Sequence, residues 1–571
     1  MADTERRLGI KRRLLFVATV LALFGGILLA QLARWQLVHG RGLAETASEL
    51  LLHHETIDAR RGAIYSRDGR VLATDVYSCA LTAAPRIIAK PYELADRLFP
   101  LIGVRRDDLA RSLSSDLAWQ SLASNVPLRL ADEIASWNEV GLTLEPRLSR
   151  AYPDLGIVEP LLGFVNRARD GYYGIEGFYD AVLRGQPGAR LGELDGFGQD
   201  VPFGYSTLEP AKDGADLYLT LDSRVQYVLW RELRAALEKY RAESGSIVVI
   251  DPKTGALLGA ASLPSYDPNK YDQAEPTRYE DPLVSQEYEP GSVFKVITMA
   301  AGLDSGLLKP DSIYEDTGEF EIAGVTIRNW DRLAHGKVTM TEILALSLNT
   351  GAAYVSTTLG PDLFYKYVAA FGFGEQTGVD LQAEADGNVK VPGDGRWYEA
   401  DLATNAFGQG LAATPLQMVL SFAAIANDGL LMRPYVVEAV NLDGEIRTIE
   451  PQPIRQVIAP GTARALIAMM IEAVEKETAS AKVPGYTVAG KTGTAEIPIP
   501  GGYHPSDTIA SFVGFLPAHD PQLCILIKID RPKASRWGSQ VAAPVFSRVA
   551  AELVLLLGIE PEPVSLATEG Q

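Results

Sequence analysis

The sequence predicts an α+β protein carried on a single membrane helix. Three observations predict it: a charge-free apolar run near the N-terminus, a glycine- and proline-punctuated middle, and strand candidates at both ends of the C-terminal region with helices between them. Two strands early in that region and three at its end imply an antiparallel sheet closed by distant parts of the chain. The length of 571 residues allows about two to four domains. A net charge of −19, from 53 basic and 72 acidic residues, argues against a nucleic-acid binder, whose footprint is basic. Cys79 and Cys524 lie far apart and give no disulfide framework or thiolate metal site. The six histidines have no metal-ligand spacing, and no G-x-S-x-G elbow occurs. A metal enzyme, a cofactor enzyme and a Ser-His-Asp hydrolase are therefore not expected.

Residues 14–33 carry no charge. At ~1.5 Å per residue the run spans ~30 Å, the thickness of a bilayer core. Arg6, Arg7, Lys11, Arg12 and Arg13 precede it, which predicts a cytoplasmic N-terminus and a bulk outside. Trp35 falls where an interfacial aromatic is favoured. A cleaved signal peptide is the competing reading. Its apolar region would be about 7–15 residues long and end in an A-x-A-like site, whereas this run is longer and no such site lies near its end. No later stretch reads as a second span, so the chain is expected to cross the membrane once.

Residues 34–57 read as a helix-like stalk. "ARRGAIYSRDGRVLATD" (59–75) reads as strand, turn, strand, with Arg67, Asp68, Gly69 and Arg70 at the turn. Residues 76–205 mix short helical and extended pieces, and "DGYYGIEGFYDAVLRGQPG" (170–188) is expected to pack near the first hairpin. Arg61 and Glu176 are candidates for an ion pair between these motifs; two solvated charges on separate turns is the alternative. A boundary is expected near "STLEPAKDGAD" (206–216). A strand over 217–221, a helix over about 223–241 and the hairpin "GSIVVIDPKTGALLGAAS" follow. Thr414, Pro415, Leu416 and Gln417 supply the N-cap, N1 proline and N3 glutamine of a capping box. "YTVAGKTGTAEI", "TIASFVGFLPA" and "LCILIKID" are three successive strand candidates, before an apolar helix over about 544–557.

"EPGSVFKVITMAAGL" (289–303) places one lysine in an apolar helix. In a helix starting near Ser292, Ser292 and Lys295 share a face, with about 5–6 Å between their Cβ atoms. A serine hydroxyl needs a base before it can attack. Lysine at its ordinary pKa of ~10.4 is protonated and cannot serve; burial disfavours the charged form. Val293, Phe294, Val296 and Ile297 supply dry surroundings, and the helix N-terminus offers free N–H groups to an oxyanion. The bland alternative is a lysine that snorkels out of a core helix.

S-x-x-K by itself is a cheap pattern. Ser347-Leu348-Asn349 and Lys491-Thr492-Gly493-Thr494 add S-x-N and K-T-G in order, over some 200 residues. Each has a decoy, Ser136-Trp137-Asn138 and Lys253-Thr254-Gly255, the latter read as a hairpin turn with its lysine in water. Only 292, 347 and 491 come in the order found in penicillin-binding proteins and serine β-lactamases.

With these motifs in place, the chain resembles a class B penicillin-binding protein. "RRGAIYSRDGRVLA" and "GIEGFYDAVLRG" resemble that family's N-terminal pedestal motifs; "YEPGSVFK", "FGQGLAATPLQM", "KTGTAE" and "SFVGFLPA" resemble its transpeptidase domain. The Glu-Pro-Gly lead into Ser292 and the "GQG…TPLQM" segment are closer to the septal, cell-division type than to the elongation type. The implied organisation is a cytoplasmic tail (1–13), a transmembrane helix (14–33), a stalk and pedestal (34–205), a penicillin-binding domain (206–560) and a flexible tail (561–571).

The resemblance implies a D,D-transpeptidase acting on peptidoglycan stem peptides and acylated by penicillin and other β-lactams. Ser292 would be the nucleophile, Lys295 its base, Ser347 a proton relay, and Asn349 a holder of the substrate amide. Lys491 would keep the cleft electropositive, and Thr492, Gly493 and Thr494 would bind substrate, with the N–H groups of Ser292 and Thr494 as oxyanion hole. It also implies the plasma membrane as location, with a separate glycosyltransferase and other division proteins as partners. Leu348 replaces the aspartate of S-D-N, which lowers the fit to a class A β-lactamase. A β-lactam-sensing receptor fits less well, because only thirteen residues precede the span. A mainly structural, partner-recruiting role is compatible with catalysis.

Overall fold

The computed structural model describes residues 2–40, 42, 52–153, 158–193, 201 and 206–562. Its contacts divide the chain into two units. One, residues 1–59 and 185–213, contains the helix Ala2–Ala33 and an antiparallel sheet in which Gly188–Glu193 pairs with both Leu52–Ile57 and Ser206–Glu209. The helix is longer than the expected span, because arginine and lysine propagate a helix well. The expected helical stalk gives way to a strand at Leu52–Ile57, whose pairing lies more than a hundred residues away and is invisible to local periodicity. Residues 43–51 lie outside the described residues.

The other unit, residues 60–184 and 214–571, holds the expected five-stranded sheet. Its elements are α1 (Ser223–Tyr240), β1 (Ser244–Ile250), β2 (Leu257–Leu263), α2 (Lys295–Asp304), α3 (Asn349–Leu359), α4 (Pro415–Ala426), β3 (Ala489–Ile499), β4 (Gly502–Leu516), β5 (Leu523–Asp530) and α5 (Gly538–Leu556). The strand order is β2-β1-β5-β4-β3, antiparallel throughout, so distant parts of the chain close the sheet where Ser244 faces Asp530. Both faces are buried. Val248, Ile250, Val513, Phe515 and Leu526 turn to the core that contains α2, α3 and α4, while Ile247, Val249, Phe512, Ile525 and Ile527 turn to α1 and α5. That is why these strands read as continuous apolar runs rather than alternating ones.

The capping box before α4 forms as expected: Thr414 Oγ1 accepts from Gln417 N at 3.2 Å, and Gln417 Oε1 accepts from Thr414 N at 2.9 Å. Helix α5 starts six residues before the expected proline start, with Pro544 inside it. Val541, Ala542 and Ala543 are fully buried there, so packing outweighs the amide hydrogen bond the proline cannot make. By length and composition α5 could cross a membrane, contrary to the expectation of a single such segment, but half of its apolar window is buried in the protein.

The hairpin at Arg67–Arg70 joins Ile64–Tyr65 to Val71–Ala83. Ile64–Tyr65 runs parallel to Asp216–Leu219, which pairs onward with Val437–Leu442, so one mixed sheet continues from the hairpin into the C-terminal region. Gly62 is required at this junction: a Cβ there would lie 1.9 Å from the Ala215 carbonyl oxygen. The Arg61–Glu176 pair is present and buried, with Nε to Oε2 at 2.7 Å. Arg150 adds a second bond to Glu176 at 2.7 Å, Asp180 binds Arg61 at 2.7 Å, and Arg169 binds Asp75 at 2.7 Å. Arg150 also reaches Asp75, and Arg184 extends the chain of pairs from Asp180 to Asp170, so the sequence reading named two members of a larger network.

Candidate active site

Ser292 lies on the 3-10 turn Gly291–Phe294 that leads into α2, and Lys295 is the first residue of that helix. Lys295 is 2% exposed. Its amine donates to the Ser347 carbonyl oxygen at 2.5 Å, to Asn349 Oδ1 at 2.7 Å and to Ser347 Oγ at 3.2 Å. The first and second motifs therefore meet. Lys295 shares the turn with Ser292, as the spacing implies, but makes no hydrogen bond to it: the hydroxyl of Ser292 is half-buried and free of hydrogen bonds among the described residues, and the amine is turned to the three oxygens of the S-x-N turn. Burial, and secondly the charge of Lys491, hold the Lys295 pKa well below the usual lysine range.

The third motif lies on β3, the outermost strand of its sheet. Gly493 passes so close to the Ser292 turn that an added Cβ would lie 3.0 Å from the Pro290 oxygen, 3.1 Å from Val293 and 2.4 Å from Ser511 Oγ. A side chain at 493 would push β3 off the turn. Lys491 is 4% exposed, and burial lowers its pKa to about 8. Its amine reaches Thr492 Oγ1 at 3.5 Å. Thr494 Oγ1 accepts from the backbone N–H of Gly538 at 3.0 Å, which leaves its own proton available to an anion.

Ser347 sits at φ +60, a left-handed conformation that costs a non-glycine residue about 1–3 kcal/mol. Leu348 is fully buried in the main core, which explains an apolar residue at the centre of this S-x-N. Two things were not read from the sequence. The segment Arg328–Trp330 grips the motif from outside, and Glu289 binds the Gly410 N–H at 3.0 Å, tying the lead into Ser292 to the glycine turn. The decoys lie in other surroundings: Ser136 ends the helix Leu128–Ser136, and Lys253 lies in the β1–β2 turn in a surface ion pair with Asp520 at 2.5 Å.

The eight residues singled out in the sequence thus lie on three neighbouring elements: the Ser292 turn with Lys295, the S-x-N turn that Lys295 contacts, and the edge strand β3, whose Gly493 packs against the Ser292 turn. The penicillin-binding protein transpeptidase domain model matches residues 245–551, and the penicillin-binding protein dimerisation domain model matches 56–219. The chain belongs to the class B penicillin-binding proteins, septal type. This penicillin-binding protein is 33% identical to stage V sporulation protein D of Bacillus subtilis, over 97% of the chain and 87% of that protein. It is 29% identical to peptidoglycan D,D-transpeptidase FtsI of Escherichia coli, over 95% and 92%. Among solved structures, penicillin-binding protein 3 of Mycobacterium tuberculosis, complexed with aztreonam, superposes with a TM-score of 0.69 at 26% identity, covering 89% of this chain and 98% of that one.

Proposed function

We propose that this chain is a membrane-anchored peptidoglycan D,D-transpeptidase that cross-links stem peptides through an acyl-enzyme on Ser292 during septal wall synthesis, and that β-lactams inhibit it by acylating the same serine. The observation that carries the reading is the buried Lys295 amine, one turn from an unengaged serine hydroxyl and in contact with the second serine of the cleft. The relatives' names and the aztreonam complex of the Mycobacterium protein support the same chemistry.

In the proposed cycle Ser292 Oγ bonds to the carbonyl carbon between the two terminal D-alanines while its proton passes to Lys295. The carbonyl oxygen takes the electron pair and is held by the N–H groups of Ser292 and Thr494. Collapse breaks the C–N bond, and the departing D-alanine nitrogen takes a proton relayed through Ser347. An amine of a neighbouring stem then attacks the ester and loses a proton by the same route. Ser292 regains its hydrogen, and a peptide cross-link remains. Asn349 holds the donor's backbone amide, Lys491 with the hydroxyls of Thr492 and Thr494 binds its carboxylate, and Gly493 keeps β3 close to the turn. The open edge of β3 suits an extended peptide.

The reading includes the domain organisation given above, a cytoplasmic N-terminus, and glycan polymerisation by a separate glycosyltransferase among other division proteins. Residues 563–571 of the proposed tail lie outside the described residues. Full-length protein in detergent is expected to form a stable adduct with a labelled penicillin on the Ser292 peptide, and Ser292→Ala none. Equal labelling of both chains would overturn the proposal.

A further inference from the structure

Behind the S-x-N turn lies a buried carboxylate that the cycle above does not use. Asp316 is 1% exposed and ends the strand Ile313–Asp316. Its Oδ1 accepts from Thr350 Oγ1 at 2.8 Å and from Gly318 N at 3.1 Å; its Oδ2 accepts from Asn329 Nδ2 at 2.8 Å and from His335 N at 3.0 Å. All its bonds are received from donors, so an ionised carboxylate fits the place and an amide does not.

Two of those donors lead directly to the cleft. Thr350 follows Asn349 in α3. Asn329 is oriented by Asp316 and by the Leu333 carbonyl on its amide side, and its Oδ1 accepts from Thr350 N at 3.3 Å. The residues on either side of Asn329 also grip the turn. The Arg328 carbonyl accepts from Asn349 Nδ2 at 2.9 Å, and Trp330 Nε1 donates to the Leu346 carbonyl at 3.1 Å. Arg328, Asn329 and Trp330 therefore hold residues 346–350 at three points around Ser347, whose left-handed backbone persists only where its surroundings over-determine it. The Arg328 contact also decides which way the Asn349 amide faces. With Nδ2 turned to Arg328, Oδ1 is left for Lys295.

We infer that Asp316 is a positioning residue for the proposed acyl transfer: through Thr350 and Asn329 it fixes the Ser347 backbone and the Asn349 amide against Lys295. The inference rests on the Ser292 acyl-enzyme reading. It names a residue without a sequence motif, 24 positions along the chain from the nucleophile and touching neither substrate nor Ser292.

The test is the rate at which a labelled penicillin acylates Ser292 in the full-length chain, with thermal melts run alongside. Asp316→Asn keeps the shape but turns an N–H toward donors. It is expected to slow acylation by about 10²-fold, the order of loss that a small misplacement of reacting groups causes, while the variant stays folded. The same substitution in a chain already carrying Ser347→Ala and Asn349→Ala is expected to slow acylation by much less, under about tenfold, since both side chains it positions are gone and only the Ser347 carbonyl remains against Lys295. Equal slowing in both backgrounds, or none in the first, would overturn the inference and leave the proposed function standing. A wild-type chain that takes no label on Ser292 would overturn both. Should Asp316→Asn melt below the assay temperature, Thr350→Val serves in its place, with the same pair of outcomes deciding.

Discussion

Lys295 and Lys491 are both almost fully buried, yet the proposed chemistry needs the first neutral and the second charged. Their surroundings separate them. Lys295 sits nearer its neutral form because burial and the neighbouring Lys491 charge act together, whereas for Lys491 burial is opposed by the charge of Glu477. Acylation by a labelled penicillin is therefore expected to rise with pH as Lys295 loses its proton and to fall above about 8 as Lys491 loses its own. One pH unit beyond that point the rate should be about tenfold below its plateau. Lys491→Arg carries a charge at every accessible pH and should abolish the falling limb. A limb that stays in place in the arginine variant would assign it to another group. Ser292, Lys295, Ser347, Asn349 and Lys491 were legible because each belongs to a short pattern whose spacing is chemical. Asp316 and Asn329 were not, since their roles arise from contacts between separate hairpins and a helix start.

Among the elements, the joint between the two glycine-rich motifs of the dimerisation region shows how a local reading stops short. Arg61 and Glu176 were paired by their motifs, while Arg150 comes from the strand Leu142–Ala151 and meets Glu176 only because that strand pairs along Val71–Ala83. Burial works against ionisation of Glu176, but Arg150 and Arg61 outweigh it and hold its carboxyl below the usual range. A carboxyl with a depressed folded-state pKa stabilises the fold above its unfolded value, near 4.5, and that contribution is lost as pH falls through the folded value. Glu176→Gln leaves two buried guanidinium groups short of a counter-charge. It is expected to cost about 3–5 kcal/mol, read by denaturant unfolding at neutral pH, and to flatten the acid loss of stability relative to wild type. An unchanged acid slope would remove Glu176 from that role.

For the molecule as a whole, the N-terminal helix and α5 are the two helices long and apolar enough to cross a membrane among the described residues, and their burial differs. The apolar residues of the N-terminal helix, among them Leu15, Phe16 and Leu29, are exposed on all sides, and none of its apolar window is buried in protein, whereas α5 packs into the core. The two native cysteines are buried, so single introduced thiols report on sidedness without background. In intact cells a membrane-impermeant maleimide is expected to label Lys253→Cys in the exposed β1–β2 turn and to leave Thr4→Cys unlabelled until the cells are opened; the reverse pattern would invert the proposed topology. The sequence by itself determined the N-terminal apolar helix, the α+β class, the sheet closed by distant strands and the three motifs that the fold brings near one another, because hydrophobic runs and motif spacings are written locally along the chain. Only the tertiary structure decided that Lys295 faces the S-x-N turn in preference to Ser292, that Gly493 must lack a side chain, that Asp316 binds Thr350 and Asn329, and that Arg150 meets Glu176. Those facts depend on which buried donors and acceptors remain to be satisfied after distant segments pack, and no window of sequence contains both partners.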